Sequence, residues 1–208
     1  MNTNEDIQLN KKDSRQVPKV EDICANKKYH DILYAYLQTI SERSVKDGKR
    51  YLNKKDINYS KIGLKLNLTR QTVSKKFSNL LDMGLIVACG ENYEIVELDR
   101  DMASLIPYET LKLLVDALSE YSVSTYIYFF NRYYANEFKS FKFTLAQVKK
   151  YIGICDTTRS NDDTITNILF TLQKLGLIKY QLTAESQEDN FNNIKTIYQL
   201  EWLTNKVI

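Results

Sequence analysis

Between Thr69 and Lys76 the chain reads Thr-Arg-Gln-Thr-Val-Ser-Lys-Lys, a run whose polar side chains can hydrogen-bond base edges and phosphates. An arginine fork matches the two acceptors of a guanine edge, and a glutamine amide matches the donor and acceptor of adenine. Lysine neutralises backbone phosphate without reading sequence. Thr69, Arg70, Gln71, Thr72, Ser74, Lys75 and Lys76 are therefore candidate duplex contacts, with Arg70 and Gln71 suited to bases and Lys75 and Lys76 to phosphates. Lys54, Lys55, Ser60 and Lys61 stand upstream, at and just before the start of another short helix, where side chains reach a phosphate. Over residues 43–76 there are eleven Lys/Arg against two acids, Asp47 and Asp56, although the whole chain carries only +3. A merely solvated charged face would mix both signs; this bias supplies the sequence-independent attraction to nucleic acid.

These residues need a helix to present them. Tyr59 to Leu66 reads as a short helix, Asn67-Leu68 as a tight break, and Thr69 as the hydroxyl N-cap of a second helix over 70–83. Val73, Phe77, Leu80 and Leu81 form one apolar stripe at helical period, with the polar run between them. Gly84 suits the position just past the helix end. Leu85–Ala88 and Tyr93–Leu98 flank Cys89-Gly-Glu-Asn92, a hairpin with glycine in its turn. Tyr29–Glu42 is a further amphipathic helix, and Arg50–Lys54 a short first strand. Helix, turn, helix, hairpin is the winged-helix order, in which the front of the second helix enters the major groove.

A second copy follows. Leu80-Leu-Asp-Met-Gly-Leu-Ile86 matches Leu172-Gln-Lys-Leu-Gly-Leu-Ile178 at an offset of 92, and Tyr34-Ala-Tyr-Leu matches Tyr126-Ile-Tyr-Phe at the same offset. The expected fold class is mainly α with small β-hairpins (α+β), as two tandem winged helix-turn-helix domains. Residues 1–28 read as a flexible N-terminal arm, 29–98 as the first domain and main DNA reader, 99–121 as a connecting helix with Pro107 at its first position, and 122–208 as the second domain. The second reading helix is expected to open on a capping box at Ser160–Asp163, and Ala184–Asn193 to form an acidic loop. Arg159, Ser160 and Asn161 are the candidates for a second DNA contact. Asp162, Asp163, Glu185, Glu188 and Asp189 repel phosphate, so a protein interface is an equal alternative for this unit.

At 208 residues, 43% hydrophobic and 26% charged, the composition is that of an ordinary globular protein. No apolar run approaches the roughly 18 residues a membrane span needs, and the polar start is no signal peptide. Cys24, Cys89 and Cys155 are odd in number and far apart, which reads as reduced thiols in the cytoplasm. The only histidine, His30, has no Cys or His partner pattern around it, so no metal and no cofactor are expected. The aromatic run Tyr126–Tyr134 reads as core, because Arg132 is its only base and single-strand stacking platforms interleave more. Neither a phosphate-cradling glycine loop nor a catalytic constellation is present, so the chain is not expected to be an enzyme.

The segment Tyr59–Ile86, with its Thr-x-x-Thr-Val-x-Lys and Leu-x-x-x-Gly-Leu-Ile elements, resembles winged-helix units shared by many bacterial regulators and replication initiators. The doubled arrangement over 29–203, without a ligand-binding domain, is similar to plasmid and phage replication initiators of low-GC Gram-positive bacteria. The resemblance implies double-stranded DNA as partner and Arg70 to Lys76 as the reading face, and replication or transcription proteins are the expected protein partners. Two alternatives stay open: a transcriptional regulator using the second winged helix to form a homodimer, and a winged-helix protein-interaction module.

Overall fold

The structure is a computed structural model that describes residues 14–18, 32–98, 103–154, 160–188 and 194–203. Among these the protein is mixed α+β, with seven α-helices and nine strands in three small antiparallel sheets.

The first half begins with strand β1 (Ser14–Pro18) and helix α1 (Ile32–Ile40). Strands β2 (Glu42–Arg43) and β3 (Arg50–Asn53) lead through a 3-10 turn to helices α2 (Tyr59–Leu66) and α3 (Arg70–Asp82). Strands β4 (Ile86–Cys89) and β5 (Asn92–Ile95) close it, giving the sheet order β2-β3-β5-β4. Strand β6 (Ala103–Pro107) and helix α4 (Tyr108–Ala117) then lead to helix α5 (Glu120–Ala135). The second half continues with β7 (Phe141–Phe143), α6 (Leu145–Ile152), α7 (Ser160–Lys174), β8 (Ile178–Glu188) and β9 (Ile194–Leu203), in sheet order β7-β9-β8. Helix, strand, two helices and hairpin thus recur, with the last strand central each time.

The sequence match Leu-x-x-x-Gly-Leu-Ile has a physical cause. Gly84 and Gly176 sit at φ 66° and 67°, the left-handed region glycine adopts without cost. Gly84 N donates to Leu81 O at 2.9 Å and Leu85 N to Leu80 O at 3.0 Å; Gly176 and Leu177 repeat these bonds to Gln173 and Leu172 at 2.9 and 3.0 Å. Both are Schellman stops, which satisfy the last carbonyls of a helix and turn the chain into a strand. Leu80, Leu172, Leu85 and Leu177 are all buried around them. Tyr34 and Tyr126, the other matched pair, are likewise buried, and burial alone pushes the Tyr126 hydroxyl far up in pKa.

Several expectations are corrected. Ser14–Pro18, read as part of a flexible arm, is a strand paired with Ala103–Pro107. Its Gln16 amide donates to Leu98 O at 3.2 Å, and its carbonyl Oε1 accepts from Leu98 N at 2.7 Å, so backbone pairing and side chain together order it. Pro107 ends β6 and caps α4 instead of opening it, because no N–H is needed at either place. Glu120, expected in the connecting helix, belongs to α5, whose N-cap is Ser119. Helix α4 contacts α1, α2 and α5, and its Leu111, Leu114 and Val115 are buried in one hydrophobic cluster that runs through both halves. Leu81, placed on the apolar stripe, is exposed. Ser160 is the first residue of α7, and its side chain lies outside the described set, while Thr144 and Gln147 form a capping box at α6. Strand β8 runs on to Glu188, which leaves only 189–193 of the expected acidic loop, outside the described residues. Cys24, His30 and Cys155 also lie outside them.

Candidate nucleic-acid interface

Two caps and a close contact set the turn that presents α3. The Asn58 carbonyl Oδ1 accepts from Ser60 N and Lys61 N at 3.1 and 3.0 Å, starting α2. Asn67 ends α2 at φ 54°, a left-handed conformation asparagine tolerates. At Gly63 a Cβ would lie 2.6 Å from Leu68 O, so only glycine lets α2 approach the turn this closely. Thr69 Oγ1 then accepts from Thr72 N at 3.1 Å and starts α3. Val73, Phe77 and Leu80 hold the helix from behind, with Phe77 wedged between the rings of Tyr59 and Tyr93 at 5.4 and 5.0 Å.

This leaves Arg70, Gln71, Ser74 and Lys75 exposed along one face of α3. Lys55, in the 3-10 turn before α2, and Ser60 and Lys61, in the first turn of α2, are exposed as well. Among the described residues, none of Arg70, Lys75, Lys55 and Lys61 has a carboxylate within ion-pair distance. Leu64 projects from α2 with 86% of its surface exposed.

The other sequence-derived contacts have structural duties. The Thr69 and Thr72 hydroxyls lie 2.8 Å apart within the α3 cap. Lys54 Nζ donates to Gly90 O at 2.6 Å and stands 5.2 Å over the Tyr93 ring, anchoring the β4–β5 turn. Lys76 is half-buried and donates to the Glu120 carboxylate of α5 at 2.8 Å. Glu120 was missed because 44 positions separate the pair and no local pattern links them. Lys65 reaches Asp116 of α4 in the same way at 2.8 Å. Hydrogen bonds from Lys112 first and Lys65 second hold the Asp116 carboxyl below the usual carboxylate range.

The second half presents a different face. In the register set by the two Schellman stops, Arg70, Gln71, Ser74 and Lys75 correspond to Asp162, Asp163, Thr166 and Asn167. Asp162 is neutralised by Lys149, whose buried ammonium lies 2.8 Å away. Phe170 stands on this outward face with 60% of its surface exposed. Of the expected second contacts, Arg159 lies outside the described residues, Ser160 is the first residue of α7, and Asn161 is half-buried. Both residues precede the face equivalent to that of α3.

Among the described residues no group of three or more His, Cys, Asp and Glu could hold a metal ion, and no helix is long and apolar enough to cross a membrane. No protein-family model matches the chain, and no curated protein matches it in sequence.

Proposed function

We propose that this chain is a sequence-specific double-stranded DNA-binding protein made of two tandem winged helices. Helix α3 lies in the major groove, and the protein acts by binding, not by catalysis. One observation supports this above the rest: Arg70, Gln71, Ser74 and Lys75 share an exposed face that no described carboxylate neutralises. Arg70 and Gln71 contact bases, while Lys75, Lys55, Ser60 and Lys61 contact phosphates on either side. Lys54 supports the wing turn, and Thr69 and Thr72 set the pitch of entry.

The process served is initiation of replication at a plasmid or phage origin in the cytoplasm, as the tandem arrangement resembles. A transcriptional regulator with the same DNA contacts is the second reading, with the second winged helix as a protein interface. The outward Asp163 and Phe170, in place of Gln71 and a small polar residue, favour a protein role for that unit. Mobility shifts with duplex carrying the bound site test the DNA reading: wild type binds with steep salt dependence, and no binding at low salt overturns it. Support of an origin-bearing plasmid in trans separates initiator from regulator.

A further inference from the structure

Asp163, Asn167, Phe170 and Lys174 follow one another along α7 at steps of four, three and four residues. At about 100° per residue such steps keep all four within a narrow arc of one helix face. All four are exposed. Phe170 is the one exposed phenylalanine among the described residues. The opposite side of α7 holds Ile165, Ile168, Leu169 and Leu172 in the core, so the helix cannot rotate to hide the ring. In the register of the two Schellman stops the same stripe on α3 reads Gln71, Lys75, Ser78 and Asp82, with no apolar residue. An aromatic ring framed by polar side chains is the composition of the centre of a protein interface.

The charges at its two ends point to the occupant. Asp163 is in the first turn of α7 and Lys174 in the last. Both signs suit the helix dipole, which accounts for the charges but not for the ring between them. Asp162 is already neutralised by Lys149 at 2.8 Å, whereas neither Asp163 nor Lys174 has an ionic partner among the described residues. The stripe is therefore negative at one end, apolar in the middle and positive at the other, and it complements itself when reversed. Laid antiparallel about a two-fold axis level with its midpoint, two copies set Asp163 opposite Lys174 of the second copy, twice. The two Phe170 rings then lie side by side between the Asn167 amides. The charged ends are about 16 Å apart along the helix, and a crossing of about 20° keeps both within side-chain reach. A parallel pair sets like charges together. The α3 face of another copy offers Lys75 and Ser78, and no apolar cover for the ring.

We infer that the outward face of α7 is where two copies of this chain pair, antiparallel, in a closed two-fold dimer. The inference rests on the reading of the second unit as a protein surface and names its partner. One helix pair buries less than the roughly 1,200 Å² of a standard stable interface, so the dimer is weak and dissociates on dilution.

The test is sedimentation velocity of the full-length chain without DNA over a concentration series, so that failure of α3 to read DNA leaves it untouched. Wild type shifts from monomer to dimer as concentration rises. Phe170→Ser weakens the association about thirtyfold or more, the factor for about 2 kcal/mol lost at a central aromatic anchor. Asp163→Lys and Lys174→Asp each weaken it about tenfold, because both exposed ion pairs of the dimer become repulsive. An equimolar mixture of these two variants recovers wild-type association, since every contact in the mixed pair again joins opposite charges. A dimer indifferent to the substitutions, or a mixture no stronger than its parts, overturns the proposal. Wild type that stays monomeric at every concentration overturns it as well. Duplex affinity then separates the two failures: a loss in Phe170→Ser gives the face to DNA and ends the protein reading, while unchanged affinity leaves that reading with a different protein as partner.

Discussion

Lys76 Nζ lies 2.8 Å from the Glu120 carboxylate, joining the second turn of α3 to the first turn of α5. The side chains are 21% and 32% exposed, so the pair sits at the seam between the two halves and not on the outer face of α3. Glu120 is also in the first turn of α5, where an acidic side chain suits the positive end of the helix. One cation of α3 is thereby held away from its exposed face. Glu120→Gln removes this carboxylate and steepens the salt dependence of DNA binding by about 0.9 in slope, the contribution of one phosphate contact. Fluorescence anisotropy over a potassium chloride series measures this, and an unchanged slope means that Lys76 stays out of reach of DNA.

The base contacts and phosphate contacts proposed for α3 separate by mutation. Arg70→Ala and Gln71→Ala each relax preference at one base pair, by about 1–3 kcal/mol of discrimination. Lys75→Ala weakens binding to all sequences alike and lowers the salt slope by about one. Competition between matched and single-substituted duplexes resolves the two behaviours.

The α2–α3 turn has no room for a side chain at Gly63. Gly63→Ala forces its Cβ against Leu68 O, which is backbone and cannot swing aside. Overpacking of this sort costs about 1–3 kcal/mol. Urea unfolding should show that loss, while Asn67→Gly, at a left-handed position, changes stability far less than Asn67→Val. Equal stability of Gly63→Ala and wild type would contradict the turn geometry.

Asp116 makes the acid limb of stability informative. Its carboxyl is depressed by Lys112 first and Lys65 second in the folded chain. It therefore contributes stability that is present above the unfolded value, near about 4, and is lost as pH falls through the lower folded value. Melting temperatures from neutral pH down to about 3 should fall less steeply for Asp116→Asn than for wild type. Parallel acid limbs would rule the Lys65–Asp116–Lys112 contact out as a stabilising link.

Much of this architecture was legible because it is local. Val73 and Phe77 at helical spacing, Thr69 as a cap, and the Leu-x-x-x-Gly-Leu-Ile stop each act over a few residues, so their types state their role. The first-half element order and the exposed face of Arg70, Gln71, Ser74 and Lys75 follow from them. What escaped depends on distant partners. Strand β1 forms because residues 14–18 meet residues 103–107, and a short polar stretch carries no periodicity announcing that. Lys76 looks in sequence like its neighbour Lys75, and only its place on the helix relative to α5 distinguishes a tether from a phosphate contact. Asp162 likewise reads as an exposed acid until Lys149 is brought beside it.

The account rests on the outward face of α3 reading a duplex. The most direct measurement is selection of bound duplexes from a randomised pool, run in parallel with the full-length wild type and Arg70→Ala/Gln71→Ala. A defined motif enriched by wild type, and degraded at the positions those two side chains contact in the variant, is the predicted result. Recovery of the same motif by both proteins, or of none by either, would contradict it.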